Sequence, residues 1–109
     1  MDTLEKIKEQ IEGNDLVLYV KGTPYFPQCG FSSQVAYILE LCGVKDYFHV
    51  NILENPDIRA ELPKYAGWPT YPQLYVKGKL IGGCDIVSTE YQEDRLKPLL
   101  EKELNLKAE

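Results

Sequence analysis

The sequence predicts a small α/β domain with a mixed four-stranded sheet flanked by helices on both faces, and three observations predict it. Apolar residues recur at helical spacing in several segments, and between those segments lie short runs rich in β-branched and aromatic residues. One such run, "LVLYV" at 16–20, is apolar without alternation, as a strand covered on both faces must be. The last two runs, in "QLYVKGKLIGG" at 73–83, are joined by a turn at Lys77-Gly78 and so pair antiparallel. Strands separated by helices are expected to pair in parallel through right-handed crossovers. In such sheets ligands bind at loops beyond the C-terminal strand ends.

Each element has its own signal. Leu4, Ile7 and Ile11 recur at helical spacing and Gly13 ends the pattern, which predicts an amphipathic helix over 3–12. "DLVLYVK" supplies the first strand, and a Gly- and Pro-containing loop over 22–29 follows. Val35, Ile38, Leu39 and Cys42 fall at i, i+3, i+4 and i+7 with Gly43 as the stop, predicting the second helix. "YFHVNI" at 47–52 reads as a strand. Asn55 and Pro56 suit the N-cap and first position of a third helix, which is expected to end or kink around Pro63, since proline lacks the donor and crowds the preceding turn. After the hairpin, a last helical region is expected from about Asp85 to Leu104, with a frayed tail beyond. No repeat or low-complexity linker interrupts the 109 residues, so one domain over 1–109 is expected, its core about 3–104.

Composition narrows the function. A 44% hydrophobic and 27% charged chain is that of an ordinary globular domain. The net charge of −5 disfavours non-specific binding to nucleic acid or anionic membranes. The longest apolar run falls far short of the roughly 20 residues a membrane span requires. "MDTLEKIKEQ" lacks the layout of a secretory signal or transit peptide, and three widely spaced cysteines suit free thiols better than a disulfide framework, so a reducing cytoplasm is expected.

The chemistry centres on "KGTPYFPQCGFSSQ" at 21–34. Cys29 ends a Pro- and Gly-flanked loop and immediately precedes the second helix, whose free amides and dipole favour an anion; the thiol pKa should therefore be lowered. A structural cysteine buried in the core is the bland reading, and a loop tip is a poor place for it. Where a dithiol motif would carry its second cysteine, the sequence has Ser32.

"CGFS" at 29–32, "KGTP" at 21–24 and "NPDIRAELPKYAGWPTYPQLYVKGKLIGGCDI" at 55–86 together resemble the CGFS-type monothiol glutaredoxins over nearly the whole chain. The resemblance implies a thioredoxin-like fold, glutathione binding and a [2Fe-2S] cluster. It implies that Lys21 and Arg59 pair with the glycine carboxylate of glutathione. The Thr70-Tyr71-Pro72 element would contain a cis proline, with the Tyr71 main chain pairing to the cysteinyl part. Gly83 would admit the ligand closely, the amides of Cys84 and Asp85 would hold the γ-glutamyl carboxylate, and Asp85 would take the ammonium or cap the helix. Cys84 offers either main-chain contact or a resolving thiol for Cys29. Trp68-Pro69 reads as loop packing, Cys42 as core and His49 as structural. A zinc site from Cys29, Cys42, Cys84 and His49 is disfavoured because no pair has the usual spacing.

Two functions compete. A [2Fe-2S] cluster takes four thiolates. One chain offers one suitable cysteine, so two chains with two glutathione thiols complete the set: a homodimer that transfers its cluster to iron-sulfur acceptor proteins, with a BolA-like partner as a possible replacement for one subunit. The alternative is a glutathione-dependent oxidoreductase in which Cys29 resolves protein-glutathione mixed disulfides by the monothiol route. The loop between Lys21 and Cys29 is longer than in dithiol glutaredoxins, and in the resembled family this accompanies cluster binding and at most weak oxidoreductase activity, which favours the carrier.

Overall fold

In the computed structural model, which describes residues 2–105, the apolar run forms a central strand, β1 (Leu16–Val20), with all five residues buried. Side chains alternate across a strand, so Leu16, Leu18 and Val20 enter one core and Val17 and Tyr19 the other. The lack of polar alternation in the sequence has this cause. β2 (Phe48–Asn51) pairs parallel to β1 on one side; β3 (Gln73–Val76) pairs antiparallel on the other and continues through the Lys77-Gly78 turn into β4 (Lys79–Gly82). Both turn residues have positive φ, 50° and 81°, the geometry of a tight hairpin.

The helices divide between the two cores. α2 (Gly30–Leu41), α4 (Cys84–Gln92) and α5 (Leu96–Glu103) supply Val35, Ile38, Leu39, Val87, Leu96 and Leu100 to the first. α1 (Thr3–Glu12) and α3 (Pro56–Ala66) supply Ile7, Ile11, Ile58 and Leu62 to the second. Asp2 caps α1 by accepting the Glu5 amide at 2.8 Å, while Leu4 stays 38% exposed and leaves the packing to Ile7 and Ile11. The result is the mixed four-stranded, thioredoxin-like arrangement. No helix among the described residues is long and apolar enough to cross a membrane.

Four expectations are corrected. First, β3 follows a helix yet runs antiparallel to its neighbour: α3 does not carry the chain back across the sheet, and Gln73 arrives opposite Tyr19 near the end of β1. Second, the region expected to be one helix over 85–104 is two, because Asp94 takes a left-handed conformation (φ 58°) that Asp tolerates better than most residues. The break turns Leu96 and Leu100 onto the core. Third, Asn55 is the N-cap of α3 by position, but its side chain donates to the Asn51 carbonyl at 2.8 Å instead of capping. Apart from Asn105, the tail expected beyond Leu104 lies outside the described residues.

The fourth correction bears on the site. Of the two outcomes expected at Pro63, an end or a kink, the end is excluded: α3 runs on to Ala66, and Gly67, with a left-handed φ of 63°, is its C-cap. Proline has no amide hydrogen, so the carbonyl four residues earlier, that of Arg59, loses its helical donor. The Tyr71 hydroxyl replaces it, donating to the Arg59 carbonyl at 3.0 Å and lying 3.4 Å from that of Ile58. Burial pushes the Tyr71 hydroxyl up to about 12 against the opposing charge of Arg59, so it stays a donor at neutral pH. Tyr71→Phe should therefore lower stability by about 1 kcal/mol in urea unfolding, with the unfolding slope unchanged. Unchanged stability would show that solvent serves the freed carbonyl equally well.

Candidate functional site

β1 ends at Val20 and the chain then folds on itself before entering α2. The Gln28 amide donates to the Lys21 carbonyl at 2.8 Å, Thr23 and Phe26 exchange main-chain bonds at 3.2 and 3.3 Å, and the Gly22 amide donates to Asn51 Oδ1 at 3.0 Å. Gly22 is required here: its φ is 95°, and a Cβ would lie 2.6 Å from the Phe26 carbonyl oxygen. This ordered turn holds Tyr25 and Phe26 outward, 72% and 77% exposed. Cys29 follows at the N-cap of α2.

The thiol is partly exposed, as expected for a loop-tip cysteine. Its Sγ accepts the Ser32 amide at 3.3 Å and donates to Ser32 Oγ at 3.4 Å. Ser32 is fully buried, and its Oγ also accepts the Lys21 amide at 3.1 Å. Burial pushes the Cys29 thiol pKa up, but the hydroxyl and amide of Ser32, the Phe31 amide and the Lys21 charge outweigh it, so the pKa lies below its ordinary value. The expected activation is present, with Ser32 as its largest favourable source.

Lys21, Phe31, Arg59, Pro63, Pro69, Thr70 and Tyr71 line a groove of about 330 Å³; Cys29, Pro72, Gly83, Cys84 and Asp85 are not part of its wall. Four residues singled out in the sequence, Lys21, Arg59, Thr70 and Tyr71, therefore converge from the position after β1, from α3 and from the loop before β3. Among the described residues neither Lys21 nor Arg59 has an ion-pair partner, so both charges are available to an anion. The Tyr71-Pro72 bond is cis. No loop hydrogen bond among the described residues uses the Tyr71 amide or carbonyl, so this short main-chain edge is available to an extended ligand.

At the start of α4, Gly83 is the N-cap and the first helical bond runs from the Val87 amide to the Gly83 carbonyl at 3.0 Å. The amides of Cys84 and Asp85 thus have no partner within the helix. Asp85 lies in the first turn of α4, so its expected capping role passes to the glycine. Gly83 packs where a Cβ would come within 3.2 Å of the Pro72 carbonyl oxygen and 3.3 Å of Trp68 Nε1, bringing the two loops together.

The other cysteines differ from Cys29. Cys84 is buried, its Sγ 3.9 Å from Ser88 Oγ; burial and the charges of Asp85 and Cys29 raise its pKa against the Ser88 hydrogen bond. Cys42 is buried at the other end of α2, its pKa raised by burial. Twelve helical residues separate the two ends by about 18 Å, so Cys29 and Cys42 cannot share one metal ion. His49 stacks edge-on with Tyr47 in and beside β2. Sequence reasoning missed Phe31, Pro63 and Pro69 as groove walls and treated Ser32 as an absent cysteine. A serine three residues after an N-cap thiol was the available signal for the last.

The comparisons with known proteins agree with this geometry. A family model described as Glutaredoxin matches residues 16–81. A protein named Glutaredoxin 4 from Escherichia coli (strain K12) is 55% identical over 100 residues, covering 92% of this chain and 86% of that protein. The solution structure of reduced poplar apo GrxS14 superposes with a TM-score of 0.78 at 40% identity, covering 94% of each chain. The crystal structure of a buckwheat glutaredoxin-glutathione complex superposes with a TM-score of 0.77 at 28% identity, covering 91% of this chain and 87% of that one.

The Ser32 contacts make a pH prediction. A thiol more acidic in the folded than in the unfolded chain contributes stability above the unfolded pKa and loses it as pH falls through the folded value. Ser32→Ala removes the hydroxyl share of this effect and keeps the amide. The midpoint of Cys29 alkylation by iodoacetamide against pH should move upward, and the rate below the original midpoint should fall. A midpoint that stays in place would assign the activation to the helix amides and Lys21 alone.

Proposed function

The chain belongs to the glutaredoxin family, and from that premise we propose that it binds glutathione in the groove beside Cys29 and, as a homodimer, carries a [2Fe-2S] cluster to acceptor proteins. One observation carries the reading: of three free thiols, Cys29 alone combines exposure with a lowered pKa, and the Lys21 charge that helps lower it lines a groove with a second unpaired cation, Arg59. Glutathione has a thiol, two carboxylates and one ammonium. Its glycine carboxylate suits Lys21 and Arg59, its cysteinyl main chain the Tyr71 edge beside Thr70 and Pro72, and its γ-glutamyl carboxylate the amides of Cys84 and Asp85 past Gly83. Asp85 is left for the ammonium. A related buckwheat glutaredoxin solved as a glutathione complex supports the ligand assignment.

The cluster follows from counting thiolates. Four are needed. Burial holds Cys42 and Cys84 in the neutral form, so one chain gives Cys29, a second copy gives another, and two glutathione thiols supply the rest. A BolA-like partner would replace one copy in a mixed complex. Free thiols suit the cytoplasm.

The same lowered pKa favours a second reading, glutathione-dependent thiol-disulfide exchange. There the Cys29 thiolate attacks the glutathione sulfur of a mixed disulfide and releases the substrate thiolate. A second glutathione thiolate then restores Cys29 and leaves as glutathione disulfide. Both readings use one groove and differ in what Cys29 meets.

Reconstitution with iron, sulfide and glutathione separates them. The carrier develops visible cluster absorption and dimerises; both changes disappear in Cys29→Ser or without glutathione, and persist in Cys84→Ser. A colourless monomer that rapidly deglutathionylates substrates would establish the enzyme instead. Arg59→Ala should weaken glutathione binding by about fivefold, the effect of a partly exposed ion pair, and unchanged affinity would remove Arg59 from the site.

A further inference from the structure

Among the described residues, two polar side chains are fully buried: Ser32 and Gln73. Ser32 serves the thiol. Gln73 opens β3, opposite Tyr19, and its carboxamide does not reach the groove. Its Nε2 donates to the Trp68 carbonyl at 2.9 Å and to the Thr70 carbonyl at 3.2 Å, and its Oε1 accepts the Tyr75 hydroxyl at 2.9 Å. The partners fix the orientation of the amide, since two main-chain carbonyls can only accept. Both donor hydrogens are used inside the protein.

These bonds fall where the backbone lacks its own. Residues between α3 and β3 belong to no ladder, so their carbonyls must find donors elsewhere. Gln73 supplies two from one side chain, to residues 68 and 70, and draws both carbonyls inward. The Tyr71 amide and carbonyl, with no such partner, remain for the groove. Tyr75 holds the carboxamide from behind and is itself packed edge-on against Tyr19, ring centroids 5.8 Å apart. A leucine or methionine would fill the space and leave two carbonyls unpaired.

We propose that Gln73 is a positioning residue for glutathione: its buried carboxamide fixes the 68–70 main chain so that the Tyr71 edge is presented to the ligand before the ligand arrives. The inference rests on the glutathione reading above. Gln73 does not touch Cys29, so it should govern the grip on glutathione and leave thiol reactivity alone.

The test measures the equilibrium in which the Cys29 thiolate displaces one glutathione thiolate from glutathione disulfide and forms the Cys29-glutathione mixed disulfide. The modified fraction is read by mass spectrometry across glutathione ratios at fixed pH. Gln73→Met removes all three bonds. Gln73→Glu keeps an acceptor for Tyr75 and loses the two-donor nitrogen, and it serves if the methionine variant does not fold. Either variant should disfavour the mixed disulfide by about tenfold, the order expected for two lost hydrogen bonds. Each should also keep the wild-type iodoacetamide rate at Cys29 and shift the emission of Trp68, the single tryptophan. A constant within about twofold of wild type in a folded variant, or an alkylation rate that falls in parallel with it, overturns the role of Gln73. A wild-type chain that forms no mixed disulfide overturns the glutathione reading itself, and unshifted Trp68 emission would then also refute the hold on the loop.

Discussion

A buried hydroxyl joins the end of β1 to the start of α2, and the chemistry of the thiol follows from it. Ser32 Oγ accepts the Lys21 amide and, from the neutral thiol, the Cys29 S–H; once the sulfur is ionised, the serine hydrogen turns to it as an acceptor. With a thiolate, every member of this small network is paired. With a thiol, the S–H donates to Oγ and the serine hydrogen loses its acceptor. The closed arrangement is therefore the ionised one, and its hydrogen bonds outweigh the cost that burial sets against the charge. The same contact sets the register between strand and helix, which places the sulfur at the N-cap where the Ser32 amide can reach it.

Topology explains why the groove forms at this end. β3 enters antiparallel, with Gln73 opposite Tyr19, so the loop before it passes beside Lys21 just beyond β1. A parallel β3 would have put Thr70 and Tyr71 at the opposite end of the sheet. Pro63 adds a second tie: the carbonyl it frees receives the Tyr71 hydroxyl and links Arg59 to the loop. A cation from one face and a main-chain edge from the sheet are thus joined by a bond that an unbroken helix would have made with itself.

Much of this was legible in the sequence, and the illegible part has a common cause. The run at 16–20 announced a strand between two cores, Gly43 and Lys77-Gly78 marked real boundaries, and Cys29 was recognisable from its place ahead of a helix. The convergence of Lys21, Arg59, Thr70 and Tyr71 was readable through the resemblance, because no periodicity relates residues fifty positions apart. The break at Asp94, the direction of β3 and the passage of α3 through Pro63 depend on tertiary packing. Ser32 and Gln73 were unreadable for a related reason: a polar residue is buried usefully when a main-chain group elsewhere lacks a partner, and the sequence does not say which groups those are.

The placement of those two residues says how the fold divides its tasks. Apolar side chains build both cores, and the fully buried Ser32 and Gln73 are each bonded to an element of the candidate site. Electrostatics then limit what the site can offer. The Cys29 charge and Asp85 both oppose ionisation of Cys84, whose burial already disfavours it, so formation of one thiolate makes a second harder to form nearby. A chain arranged in this way offers one readily ionised thiol. Any centre that requires more must draw the remaining sulfurs from another molecule, and a groove with two unpaired cations and a free main-chain edge suits a peptide thiol that carries its own carboxylates.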